Sequence, residues 1–141
     1  MSPAAFLAAA RSYKGVRWHH LGRSREGLDC VGLLLCAADD AGVPRPMDQA
    51  YARGRTGFDL CAVCEKIGRQ INPADAQDGD ILVFACGVFP GHLGIRTTID
   101  GRPYVLHAPI NRRKVVEEEL INDLLASLRR AYRPTAFEGA N

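Results

Sequence analysis

An α+β domain, with an antiparallel sheet packed against an N-terminal helical part, is what this sequence predicts, and three observations predict it. Runs of helical character fall at about 3–12, 30–41 and 58–70, while β-like runs crowd the second half of the chain. Asp100-Gly101, between two β-like runs, is a strong signal for a two-residue hairpin, which makes the sheet antiparallel there. The 141 residues, 47% apolar and 24% charged, suffice for one core and are too few for two, so 1–141 is read as a single domain.

Each element has a local reason. The opening MSPAAFLAAARS is apolar but has no basic stretch before it, so it is read as an amphipathic helix opened by Ser2-Pro3 and not as a secretion signal. A loop carrying Trp18, His19 and His20 follows. From Cys30 to Ala41 the run CVGLLLCAADDA has no proline, is rich in Leu and Ala, and stops at Gly42 with Pro44 beyond, as helices do. A Pro-rich loop then leads to the third helix, in which Leu60, Cys64, Ile67 and Ile71 would form a buried stripe. Ile81 to Ala85 reads as a buried strand after an Asp78-Gly79-Asp80 turn, Gly91–Ile99 and Arg102–Pro109 as the hairpin, and Leu128–Arg133 as a last strand, with a short helix among them.

Composition excludes several classes of function. No window approaches the ~20 apolar residues of a membrane span, so no membrane insertion is expected. A net charge of +2 is too mild to argue for nucleic acid. Five cysteines cannot all pair, and their spacing suits reduced thiols in a protein made in the cytoplasm.

The chemistry concentrates in Asp29-Cys30-Val31-Gly32-Leu33 and in Gly91-His92-Leu93-Gly94-Ile95. With Asp29 as N-cap, Cys30 sits in the first turn of its helix, where unpaired backbone N–H groups favour an anion. A thiol there is expected to have a lowered pKa, and the same N–H groups could hold an oxyanion. The ordinary alternative is a buried core cysteine. In the register set by Asp100-Gly101, His107 faces Gly94, so His92 and His107 project from one face as diagonal neighbours, within reach of a hydrogen bond. A one-residue slip would separate them. His92 would then take the thiol proton and return it to the leaving amine, while His107 would hold the His92 ring in one tautomer. Pro103 fits this register, because its missing N–H would point away from the hairpin partner, which requires an edge there.

The other cysteines read as packing. Cys61-x-x-Cys64 has no second pair and no histidine at ligand spacing, so a metal site is not expected. Cys36 lies ~240° round the helix from Cys30. Cys86 is near His92 in sequence but ends a strand, without the activation available to Cys30. No cofactor is needed.

These residues resemble the NlpC family of bacterial cell-wall cysteine peptidases. The family's Asp-Cys-Ser-Gly-Leu block lies on Asp29, Cys30, Gly32 and Leu33, its Pro-Gly-Asp turn on Asp78-Gly79-Asp80, its His-Val-Gly-Ile strand on His92-Leu93-Gly94-Ile95, and its third catalytic position on His107. The resemblance implies a papain-like α+β fold and a Cys-His-His catalytic set of Cys30, His92 and His107. It also implies a γ-D-glutamyl to diamino-acid bond of the peptidoglycan stem peptide as the target. The chain departs from the pattern at Val31, where serine is usual, at Arg17 and Trp18, where the family has proline and a substrate-contacting tyrosine, and at Gly22, alone of a Gly-Gly pair.

Trp18 is therefore expected to wall the cleft, with Asp29, His19 and His20 as further substrate-side candidates. For both histidines surface exposure is the default. Arg112-Arg113-Lys114 reads as a solvated loop that could meet substrate carboxylates. The style of GVRW and GRSREGLDCVGL is similar to the branch found in phage tails and gene transfer particles. That implies phage-tail protein partners, and a virion or particle tail as the route from the cytoplasm to the periplasm or cell wall. An N-acetylmuramoyl amidase or other papain-like thiol acyl hydrolase, and a tail-assembly protein without turnover, remain open alternatives.

Overall fold

The computed structural model describes residues 1–43, 60–86 and 89–138. The Pro-rich loop read between the second and third helices falls largely outside them, and so does the side chain of Cys86.

Helix α1 (Pro3–Arg11) begins as expected, with the Ser2 side chain accepting from the Ala5 N–H and Pro3 in the first turn. Phe6, Leu7 and Ala10 are its buried face. The segment read as loop before the second helix contains a small hairpin, β1 (Arg23–Ser24) and β2 (Gly27–Leu28). Two-residue strands carry no periodicity, so the sequence could not announce them. Helix α2 (Cys30–Asp40) then buries every residue from Val31 to Ala38, which accounts for its uniformly small and apolar composition.

Helix α3 (Leu60–Ile67) is shorter than predicted. The expected helix continued to residue 70, but Gly68–Ile71 is strand β3, so Ile71 leaves the predicted stripe. Pairing with the last strand wins over helical continuation, in the register Gly68↔Pro134 to Ile71↔Ala131. Cys61 and Cys64 are 2% and 0% exposed, packed in the core as read.

The remaining strands are β4 (Ile81–Cys86), β5 (Phe89–Ile99), β6 (Arg102–His107), β7 (Val116–Glu119) and β8 (Leu128–Pro134), with helix α4 (Asn122–Ala126) before β8. They form an antiparallel sheet in the order β3-β8-β4-β5-β6-β7. The β5–β6 hairpin has the predicted register, Ile99↔Arg102 through Ile95↔Leu106. Its turn residues Asp100 and Gly101 both have positive φ, 52° and 77°, as a two-residue turn between twisted strands requires.

Strand β6 is not at the sheet edge, contrary to expectation, because β7 pairs with it. That ladder nevertheless stops at Tyr104↔Glu119, beside Pro103. Leu120 N–H donates to the Pro103 carbonyl, and Pro103 has no N–H with which to return the bond.

Both faces of the sheet are covered. Ile81, Val83, Leu93, Ile95 and Leu106 pack with α1, α2 and α3 into the main core, while Leu82, Phe84, Val105, Leu120 and Ala131 form a smaller cluster against Leu124 and Leu128. Burial on both faces explains why 81–84 is a continuous apolar run and not an alternating one. The turn before it is pinned by Asp80, 1% exposed, whose oxygens accept from Arg133 at 3.1 and 2.8 Å.

Candidate active site

The place of Cys30 follows from the cap beside it. Asp29 is extended at φ −105°, and its Oδ1 accepts from the Gly32 N–H at 2.8 Å. Its Oδ2 accepts from the Leu21 N–H at 2.9 Å, Arg23 Nη1 lies 3.3 Å from Oδ1, and the residue is 4% exposed. This carboxylate is turned into the protein. Asp29, named above as a substrate-side candidate, here ties residues 21–23 to the start of α2.

Gly32 makes the same junction possible. A Cβ there would lie 2.0 Å from the Gly22 carbonyl oxygen, which is backbone and cannot swing aside. Gly32→Ala should therefore cost about 3 kcal/mol or more, read as a lower urea midpoint, and should displace the cap that positions Cys30. Val31 is 1% exposed and packs in the main core, so an apolar residue fits where serine is usual.

The predicted lowering of the Cys30 thiol is reversed. Burial pushes it up to about 12, and the Asp29 charge adds to that, although the backbone N–H groups of Leu93, Val31 and Cys30 itself all favour the thiolate. The Leu93 contact also locates the sulfur, since Leu93 follows His92 on β5. Burial drives His92 the other way, down to about 3, with His107 as the lesser cause. At neutral pH these shifts leave Cys30 as a thiol and His92 as a neutral imidazole, not an ion pair.

The diagonal pairing of histidines is as the hairpin predicted. His92 Nε2 and His107 Nδ1 are 2.8 Å apart, with ring centroids at 5.0 Å and an interplanar angle of 61°. The bond occupies Nε2 of His92 and leaves Nδ1 as its other ring nitrogen. Gly94, opposite His107, makes room: a Cβ there would come 3.0 Å from the His107 Cβ and 2.5 Å from Val105 Cγ2. Phe84 flanks the His92 ring at 5.9 Å.

Beyond His107 the row continues onto β7, which sequence reasoning missed. His107 Nε2 lies 2.8 Å from Glu118 Oε2, and Arg112 Nε donates to Glu118 Oε1 at 2.6 Å. Glu118 is diagonal to His107 across β6–β7, as His107 is to His92 across β5–β6. The only sequence signal was the alternation within Glu117-Glu118-Glu119. Glu117 points to the opposite face, where Arg11, Lys14 and Thr97 hold its carboxylate at 2.9, 3.1 and 2.6 Å.

The other predicted residues divide. Trp18 is half-buried against the main core, with its backbone N–H donating to the Arg113 carbonyl at 2.7 Å and its ring centroid 6.4 Å from that of His20. His19 is exposed, as the default reading had it, while His20 is half-buried. Arg112 points to Glu118 and so is not simply a solvated charge.

A core helix opened by a half-buried thiol, packed on an antiparallel sheet that carries an imidazole pair, makes this an α+β domain of papain-like fold. The sequence model of the NlpC/P60 family matches residues 15–131, and the chain belongs to that family. Its fold is similar to the NlpC/p60 domain of the peptidoglycan hydrolase SagA, with a TM-score of 0.66 at 21% identity over 94% of this chain and 99% of that one. An NlpC/P60 family protein from Bacillus cereus ATCC 10987 gives a TM-score of 0.72 at 19% identity, over 95% of this chain and 40% of that one. An N-acetylmuramoyl-L-alanine amidase from Bacteroides uniformis ATCC 8492 gives 0.67 at 10% identity, over 92% and 97%. At these identities the likeness is one of fold. A search of curated proteins finds no match.

Proposed function

We propose that this protein is a cysteine endopeptidase of peptidoglycan, cutting the γ-D-glutamyl to diamino-acid bond of stem peptides. The observation that carries the reading is the Cys30 sulfur against the Leu93 N–H, one residue from an imidazole whose Nε2 is already bonded to His107. Cys30 gives its proton to Nδ1 of His92 as Sγ attacks the amide carbonyl. The N–H groups around the sulfur take up the charge that develops on the oxyanion. Imidazolium then protonates the departing amine, and water activated by the same ring hydrolyses the thioester to the free acid.

Family membership supports the hydrolase reading, and SagA, a fold neighbour, is itself a peptidoglycan hydrolase. Trp18 stands as a cleft wall in this proposal, with His19 and His20 on the rim and Asp29 in a positioning role. The sequence style around Cys30 supports delivery to the cell wall by a phage or gene-transfer-particle tail.

Defined muropeptides decide the bond. Mass spectrometry after incubation should show an L-alanyl-D-glutamate carboxylate and a new free amine on the diamino acid. Release of the whole stem peptide from the muramoyl lactyl group would mean an amidase, and no product at all would mean a structural tail component.

A further inference from the structure

We infer that Glu118, held by Arg112, sets the tautomer of both histidines, so that His92 keeps Nδ1 unprotonated and available to Cys30. The inference rests on Cys30 and His92 as nucleophile and base, and adds a positioning residue to them.

Five atoms in a row fix the protons, from Glu118 Oε2 to His92 Nδ1. A carboxylate only accepts hydrogen bonds, so the 2.8 Å contact with Glu118 Oε2 requires a proton on His107 Nε2. Burial lowers the His107 pKa, against the opposing pull of Glu118, so the ring is neutral and carries that one proton. Its Nδ1 is then an acceptor, and the 2.8 Å contact there requires the proton of neutral His92 on Nε2. His92 Nδ1 is left with its lone pair. Reversing the first bond would reverse every later one and put a proton on the atom that must receive one.

Glu118→Gln should cause that reversal. The amide has one acceptor and one donor end, and Arg112, which donates to Oε1 at 2.6 Å, will hold the amide oxygen. The NH2 group then faces His107 Nε2 and donates to it. His107 must carry its proton on Nδ1, and His92 on Nδ1 as well. The replacement is nearly isosteric at a half-exposed position, so the fold should persist.

Imidazole 15N–1H correlation spectra of wild type and Glu118→Gln read the tautomers directly, without substrate. We expect both histidines protonated at Nε2 in wild type and both at Nδ1 in the variant. In muropeptide hydrolysis kcat should then fall about 10²-fold or more with KM unchanged, as wrong-tautomer variants of catalytic triads do. Identical tautomers in the two proteins would overturn the inference, and so would switched tautomers with kcat retained. A wild type without hydrolysis would sink the enzymatic reading alone, because the spectra still test the tautomer assignment.

Discussion

Cys30→Ala should abolish muropeptide cleavage, lowering turnover by about 10⁴-fold or more, while the urea midpoint stays near that of wild type. Two facts separate these effects. The side chain is half-buried at the first position of α2, where alanine is a good helix residue and the Asp29 cap remains in place. What is lost is the sulfur proposed to form the thioester, and the neighbouring N–H groups cannot replace it. Cys30→Ser should be nearly as inactive, because a hydroxyl is a far harder group to deprotonate in the same buried setting. Cleavage retained in Cys30→Ala would remove Cys30 from the mechanism and turn attention to another centre.

The pH dependence should be unusual for an enzyme that uses histidine as base. With His92 held down to about 3, the ring stays neutral as pH falls from 7 to about 5, and kcat/KM should hardly change across that interval. Stability has the opposite sensitivity. The unfolded chain takes up protons at His92 and His107 as pH falls below ~6.5, while the folded chain, with both pKa values lowered, does not. The unfolded state therefore binds more protons, and stability declines from about pH 6.5 downward. Loss of activity in acid should track the thermal transition instead of a histidine titration. A kcat/KM profile that bends near 6.5 while the protein remains fully folded would contradict the burial of His92.

Much of this was legible from residues alone, for identifiable reasons. The α2 helix announced itself through composition and stop signals, and the β5–β6 register through Asp100-Gly101, which is why His92 and His107 could be placed on one face. Strand β3 was not legible, because Gly68-Arg69-Gln70-Ile71 becomes a strand through its pairing with β8, distant in sequence. Glu118 was hidden among three adjacent glutamates, where only the β6–β7 register selects the one that reaches His107. Asp29 was legible as a cap, whereas the bond of its second oxygen to Leu21, made across a loop without periodicity, was not. The thiol was misjudged because helix position can be read from sequence while desolvation, a property of the finished packing, cannot.

That same desolvation shapes how the protein ages. Peroxides oxidise thiolates, starting a ladder from sulfenic to sulfonic acid whose upper steps are irreversible. With its pKa pushed up to about 12, the sulfur offers such oxidants little thiolate at neutral pH. If Cys30 is the nucleophile proposed above, its burial trades some speed of attack for durability against oxidation.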